Sequence, residues 1–197
     1  GYTFDKYKKE KSTLDKMELQ LIGMKSHDRE NRHYLDRYTL VSNAANEARA
    51  LINEPGSVAI PEYLAGAAQK IAKESDLDLK VWDEKKLAKE GFNGLLQVGR
   101  GSEHPPRLIR LSYRARKSKH HLALVGKGVT FDTGGISIKP SEKMWEMKGD
   151  MSGGAAVLYA MKAIGALRPN VSVTGIVPAA ENTPDGRAQL QIGRAHV

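Results

Sequence analysis

The stretch His121-Leu122-Ala123-Leu124-Val125-Gly126-Lys127-Gly128-Val129-Thr130-Phe131-Asp132-Thr133-Gly134-Gly135-Ile136-Ser137-Ile138-Lys139 joins a short apolar run to a glycine-rich loop. Apolar runs rich in branched side chains and bounded by glycine have the composition of strands inside a sheet covered on both faces. Downstream, residues 152–164 carry a helical pattern that begins on small residues, Gly153-Gly154-Ala155-Ala156, and so allows close packing on a sheet. Residues 171–177 form a second apolar, β-branched run. Strand, helix and strand in that order are the unit of a parallel sheet, so the expected fold is α/β, with a largely parallel sheet flanked by helices. Open sheets of this kind bind ligands beyond the carboxyl ends of their strands. A strand ending at Lys127 places Lys127, Asp132 and Lys139 at that edge, and Asp150, just ahead of the helix at residues 152–164, is able to reach it.

The alternation extends towards the amino terminus. Residues 34–51 carry apolar side chains at helical spacing and stop before the breaker cluster Asn53-Glu54-Pro55-Gly56. Pro61 suits a first helical turn, and Leu64, Ala68 and Ile71 recur after it at helical intervals. Strands are expected over residues 77–82, 94–98 and 108–113, with a short helix over 84–90. The segment Met17-Glu18-Leu19-Gln20-Leu21-Ile22-Gly23 alternates as a short strand does. The opening through Lys16 is polar and charged and reads as a linker.

Composition narrows the chemistry. The 197 residues are 40% hydrophobic and 27% charged, the profile of a globular protein with one main core. Cysteine is absent, so disulfides and thiolate metal sites are excluded, and any metal must be held by carboxylate, imidazole, amine or carbonyl groups. No apolar run approaches the ~20 residues that span a bilayer, and the start has no apolar signal core, which points to a cytoplasmic protein without membrane partners. Of the net charge of +8, much is local: Arg107, Arg110, Arg114, Arg116, Lys117 and Lys119 lie in a stretch with no acid. Such a patch fits nucleic-acid binding, but a strand end followed by a solvated loop has the same composition and is the preferred reading.

Each part of the glycine-rich region has a plain structural alternative. Glycines serve tight turns, an aspartate before a helix serves as its N-cap, and lone lysines are mostly solvated. Phosphate binding is disfavoured because the spacing of a P-loop is missing. Composition alone supports only an anion or metal site at a strand end.

The pattern says more. Gly126-Lys127-Gly128-Val129-Thr130-Phe131-Asp132-Thr133-Gly134-Gly135-Ile136-Ser137-Ile138-Lys139, with Met147-Lys148-Gly149-Asp150-Met151, resembles the metal-site core of the leucyl aminopeptidase family, two-metal exopeptidases. Asn53-Glu54-Pro55-Gly56 with Pro61, Val98-Gly99-Arg100-Gly101-Ser102, and Gly175-Ile176-Val177-Pro178-Ala179-Ala180-Glu181-Asn182 resemble further family segments, and Phe4-Asp5-Lys6-Tyr7-Lys8 resembles the end of its amino-terminal domain. The resemblance implies that Asp132 bridges two divalent ions, that Lys127 binds one through its amine, and that Asp150 binds that same ion. It implies that Lys139 stays charged and stabilises the oxyanion of the tetrahedral intermediate, and that Met147 lines the pocket for the first side chain. The implied cofactors are manganese or zinc, with magnesium also compatible, and the implied partners are peptide substrates and five further copies in a hexamer. These roles are chemically coherent. A lysine ligates metal only as a neutral amine, paired ions turn water into a nucleophile near neutral pH, and a fixed cation stabilises developing negative charge in a site that excludes water.

The same resemblance sets the expected organisation: residues 1–33 as a remnant of the amino-terminal domain and linker, 34–191 as a partial catalytic domain, and 192–197 as a sequencing artefact. That tail, Ile192-Gly193-Arg194-Ala195-His196-Val197, matches one reading frame of a common sequencing adapter, so His196 is given no ligand role. The family's Asn-Thr-Asp-Ala-Glu-Gly-Arg segment, which supplies two more metal carboxylates and an arginine, is not found here. Asn182-Thr183-Pro184-Asp185-Gly186-Arg187 matches an earlier loop instead, and Asp185 and Arg187 are assigned no catalytic role. Two expectations follow: little or no peptidase activity from this chain alone, and an unpaired strand edge near Val177 that invites aggregation. The competing classes are a DNA-binding protein using residues 107–119 and a catalytically inert assembly subunit. The intact Lys127, Asp132 and Asp150 argue against the last.

Overall fold

A computed structural model describes residues 2–10, 29–188 and 190. Its spine is the last and longest strand, Ser172–Asn182. In chain order the elements are α1 (Arg29–Asn53), α2 (Pro61–Ser75), β1 (Asp78–Trp82), α3 (Glu84–Lys89), α4 (Asn93–Val98), β2 (Arg107–Tyr113), β3 (His121–Val125), β4 (Gly128–Asp132), a 3-10 helix (Met144–Met151), α5 (Ser152–Leu167) and β5 (Ser172–Asn182). β5 pairs antiparallel with β2 along one side, and β2 pairs antiparallel with β1. Along its other side β5 pairs in parallel first with β3 and then with β4.

The α/β class and the helix-flanked sheet are therefore as expected, while the sheet is mixed, with its parallel half at β3, β4 and β5. Strand composition reports burial and says little about a neighbour's direction, so the antiparallel half was not legible. β5 is paired on both sides, which corrects the expectation of an open edge near Val177. Among the described residues the sheet instead stops at β1 and at β3–β4. β3 is accordingly not covered on both faces: Leu122 is 50% and Val125 69% exposed. The strand expected at residues 94–98 is helix α4, because Leu95 and Leu96 pack together against Trp82, Leu87 and Leu108, and a strand would send these neighbours to opposite faces. The strand expected at residues 17–23, and the tail at 192–197, lie outside the described residues.

Side-chain alternation along β5 divides the core. Val173, Val177 and Ala179 join Ile109 and Leu111 of β2 beneath α1, α2 and α5, where Leu51, Leu64, Ile71, Leu158 and Met161 are buried. Ile176 and Leu108 face the other way, towards α3 and α4. Fully burying an aliphatic side chain such as Leu158 stabilises the fold by about 1.5–3 kcal/mol, so this helical layer fixes α5 on the sheet. The amino-terminal segment is docked as well. Lys6 and Tyr7 both donate to the buried Glu54 carboxylate, at 2.7 and 2.5 Å, just past the end of α1. No helix among the described residues is long and apolar enough to cross a membrane.

Candidate active site

The parallel half of the sheet sets out the residues singled out above. β3 ends at Val125 and β4 begins at Gly128, so Lys127 stands in the short junction between two strands that both pair with β5. That junction is pressed against the start of α5. The Gly154 amide donates to the Lys127 carbonyl oxygen at 2.7 Å, and a Cβ on Gly126 would come within 2.2 Å of the Gly153 carbonyl oxygen. Glycine at these places lets helix and strand backbones touch, and the contact fixes where Lys127 leaves the sheet. Its Nζ lies 2.6 Å from Asp150 Oδ2.

Asp150 belongs to the 3-10 helix Met144–Met151, which packs on β4 and runs directly into α5. It is not the N-cap of α5; Met151 holds that position and makes no side-chain cap. The carboxylate is thus left to Lys127.

Asp132 is the last residue of β4. Its Oδ1 accepts from the Gly134 amide at 3.0 Å and from Asn182 Nδ2 at 2.7 Å, and its Oδ2 accepts from Lys139 Nζ at 2.6 Å. Burial pushes this carboxyl up, but the Lys139, Gly134 and Asn182 hydrogen bonds and the Lys139 charge outweigh it and hold the pKa below the ordinary value. Lys139 is returned to Asp132 by a tight loop: Gly134 and Gly135 adopt φ of 90° and 71°, and the Lys139 amide donates to the Thr133 carbonyl at 2.8 Å. Lys139 Nζ also lies 3.3 Å from Met147 Sδ. One lysine thus joins Asp132 to Met147, and another joins β4's entry to Asp150.

Lys127, Asp132, Lys139, Met147 and Asp150 all sit on β4, its two flanking loops and the 3-10 helix packed on it. Among the described residues no group of three or more His, Cys, Asp or Glu side chains is placed to hold one ion. The donor set on hand is two carboxylates and an amine, hard oxygen and nitrogen donors that fit divalent manganese, zinc or magnesium.

Asn182 was quoted in the sequence only as part of a segment, and its contact with Asp132 was missed. The register that sets Asp132 beside Asn182 in the parallel pair would have exposed it, but that register is not written in composition. Glu181, beside it, is buried and accepts from the Ser102 hydroxyl. Arg187 pairs with Glu103 and its amide with Asp185, a surface turn. In the basic patch, Arg107 pairs with Glu62 at 2.7 Å and Arg110 with Asp78 at 3.1 Å, so two of its charges are used within the fold.

The fold is that of a helix-flanked α/β domain, with two lysine–aspartate pairs at one edge of its parallel strands. Residues 46–192 match the model of the cytosol aminopeptidase family, catalytic domain, and the chain belongs to that family. A probable cytosol aminopeptidase from Persephonella marina is 44% identical over 188 residues, which are 95% of this chain and 38% of that protein. The bottromycin maturation enzyme BotP superposes with a TM-score of 0.80 at 36% identity, over 98% of this chain and 39% of that one. A manganese complex of BotP gives 0.75 at 40% identity, over 82% and 35%. The chain thus spans under two fifths of the length of the curated relative it matches. These comparisons give the nucleic-acid reading of residues 107–119 no support.

Proposed function

We propose that the chain supplies the metal- and substrate-facing part of an aminopeptidase that removes amino-terminal residues, leucine-like ones preferred, from peptides. The observation that carries this reading is the pairing of Lys139 with Asp132 and of Lys127 with Asp150, each at 2.6 Å, on β4 and the 3-10 helix beside it. Lys127, Asp132 and Asp150 would hold divalent ions, with Asp132 shared between two. When bound, such ions supply Lewis acidity to the scissile carbonyl and lower the pKa of water.

The remaining work falls to the protein. Lys139, held by the Gly134-Gly135 turn, presents a cation to the carbonyl oxygen as negative charge develops there. Met147, against Lys139, offers a polarisable apolar wall to the first side chain. Manganese is the first metal to test, since the BotP structure is a manganese complex; zinc and magnesium are the alternatives. The hexamer, the cytosolic setting and the division at residues 33 and 191 belong to the same proposal.

A chimera tests it. Residues 29–188 replace the corresponding segment of the Persephonella marina relative, and hydrolysis of a leucine anilide is measured with manganese beside the parent. The chimera is expected to hydrolyse the anilide, and Asp132→Asn within it to abolish turnover. A chimera that folds like the parent and keeps full activity with Asp132→Asn contradicts the assignment.

A further inference from the structure

Asn182 is tied to the Asp132 loop through both its main chain and its side chain. Its carbonyl oxygen accepts from the Thr133 amide at 2.9 Å and from the Thr133 hydroxyl at 2.8 Å, continuing the β4–β5 ladder past Asp132. Its side-chain Nδ2 donates to Asp132 Oδ1 at 2.7 Å. The opposite amide orientation would set an oxygen against a carboxylate, so chemistry dictates which end faces Asp132. Gly134 brings a second donor to that same Oδ1, and Oδ2 is turned to Lys139. A carboxylate oxygen with two donors in place has its lone pairs engaged.

We propose that Asn182 is a positioning residue: with the Gly134 amide it holds Oδ1 of Asp132 and leaves Oδ2 as the oxygen through which Asp132 meets a metal ion. The inference rests on the metal reading above and adds to it the atom used and the residue that selects it. Because Asn182's main-chain bonds do not depend on its side chain, removing the amide tests the selection with little change to the strand.

The probe is metal alone. Free Mn2+ is followed by electron paramagnetic resonance during titration of the 197-residue chain, its Asn182→Leu, Thr133→Val and Asp132→Asn variants, with thermal midpoints recorded alongside. Groups that hydrogen-bond a metal-ligating side chain are typically worth 10–100-fold in metal affinity, so Asn182→Leu is expected to weaken binding about tenfold. Thr133→Val, which removes the hydroxyl's bonds to the Asn182 carbonyl and the Gly135 amide but leaves the Asn182 and Gly134 contacts with Asp132 Oδ1 in place, is expected to stay within about twofold whatever its midpoint does. In a 15N spectrum of the zinc-saturated chain the Asn182 side-chain amide is expected to keep its hydrogen-bonded shift.

Equal affinity in wild type and Asn182→Leu overturns the inference and leaves the metal reading standing. So does an equal loss in Thr133→Val, or an Asn182 amide that moves to a water-like shift on zinc binding. No saturable Mn2+ uptake by the wild type, or uptake that Asp132→Asn leaves unchanged, overturns the metal reading and this inference with it.

Discussion

At the scale of single residues, the charges that matter lie in pairs. Lys162 of α5 sits 2.7 Å from Glu47 of α1 and 3.2 Å from Glu74 of α2, in the crevice where cavities of about 430 and 550 Å³ open between the three helices. Burial pushes its amine down, but the hydrogen bonds to both carboxylates outweigh this and hold its pKa above the ordinary lysine value. A raised lysine contributes stability that is complete below the unfolded-state value and lost as pH rises through the folded one. Lys162→Met should therefore cost about 1 kcal/mol near neutral pH, with both glutamates partly solvated, and the cost should shrink as urea midpoints are compared at increasingly alkaline pH. Lys139 has a different role. In the chimera, Lys139→Met should lower kcat by about 10²–10³-fold, the usual cost of losing one oxyanion donor, with a smaller effect on KM.

At the scale of elements, the site depends on β4 and α5 touching through glycine. Gly126→Ala would drive a methyl into the Gly153 carbonyl, and overpacking of this kind costs about 1–3 kcal/mol. A lower urea midpoint together with weaker metal binding is expected, because Lys127 moves with the junction. Leu158→Ala, in the same helix but on its core face, should cost about 2–5 kcal/mol with metal affinity unchanged where the chain remains folded. The contrast separates loss of the core from loss of the junction. Most elements were legible because their periodicity is strong: Pro61 with Leu64, Ala68 and Ile71 marks α2, and the branched runs mark β3 and β5. Residues 94–98 were not, since a short apolar run has no resolvable period and only packing against Trp82 and Leu87 decides it.

At the scale of the whole molecule, the site was legible where its residues are close in sequence and illegible where the sheet brings them together. Lys127, Asp132, Lys139, Met147 and Asp150 fall within one run of sequence, which is why they stand out together as candidates. Asn182 reaches Asp132 only through parallel pairing of β4 with β5, across fifty positions. The direction of β2 against β5 was hidden for the same reason. Because the chain covers 38% of the relative it matches, and its described residues offer two carboxylates and an amine, it is expected to bind metal and yet to hydrolyse leucine anilide far more slowly than the chimera. The central claim, that Asp132 and Asp150 hold divalent metal, is tested most directly by Mn2+ titration of the chain beside Asp132→Asn, Asp150→Asn and the remote control Glu47→Gln. The account predicts saturable uptake that falls at least about tenfold in the two aspartate variants and is unchanged in Glu47→Gln. Equal binding by all four proteins would contradict it.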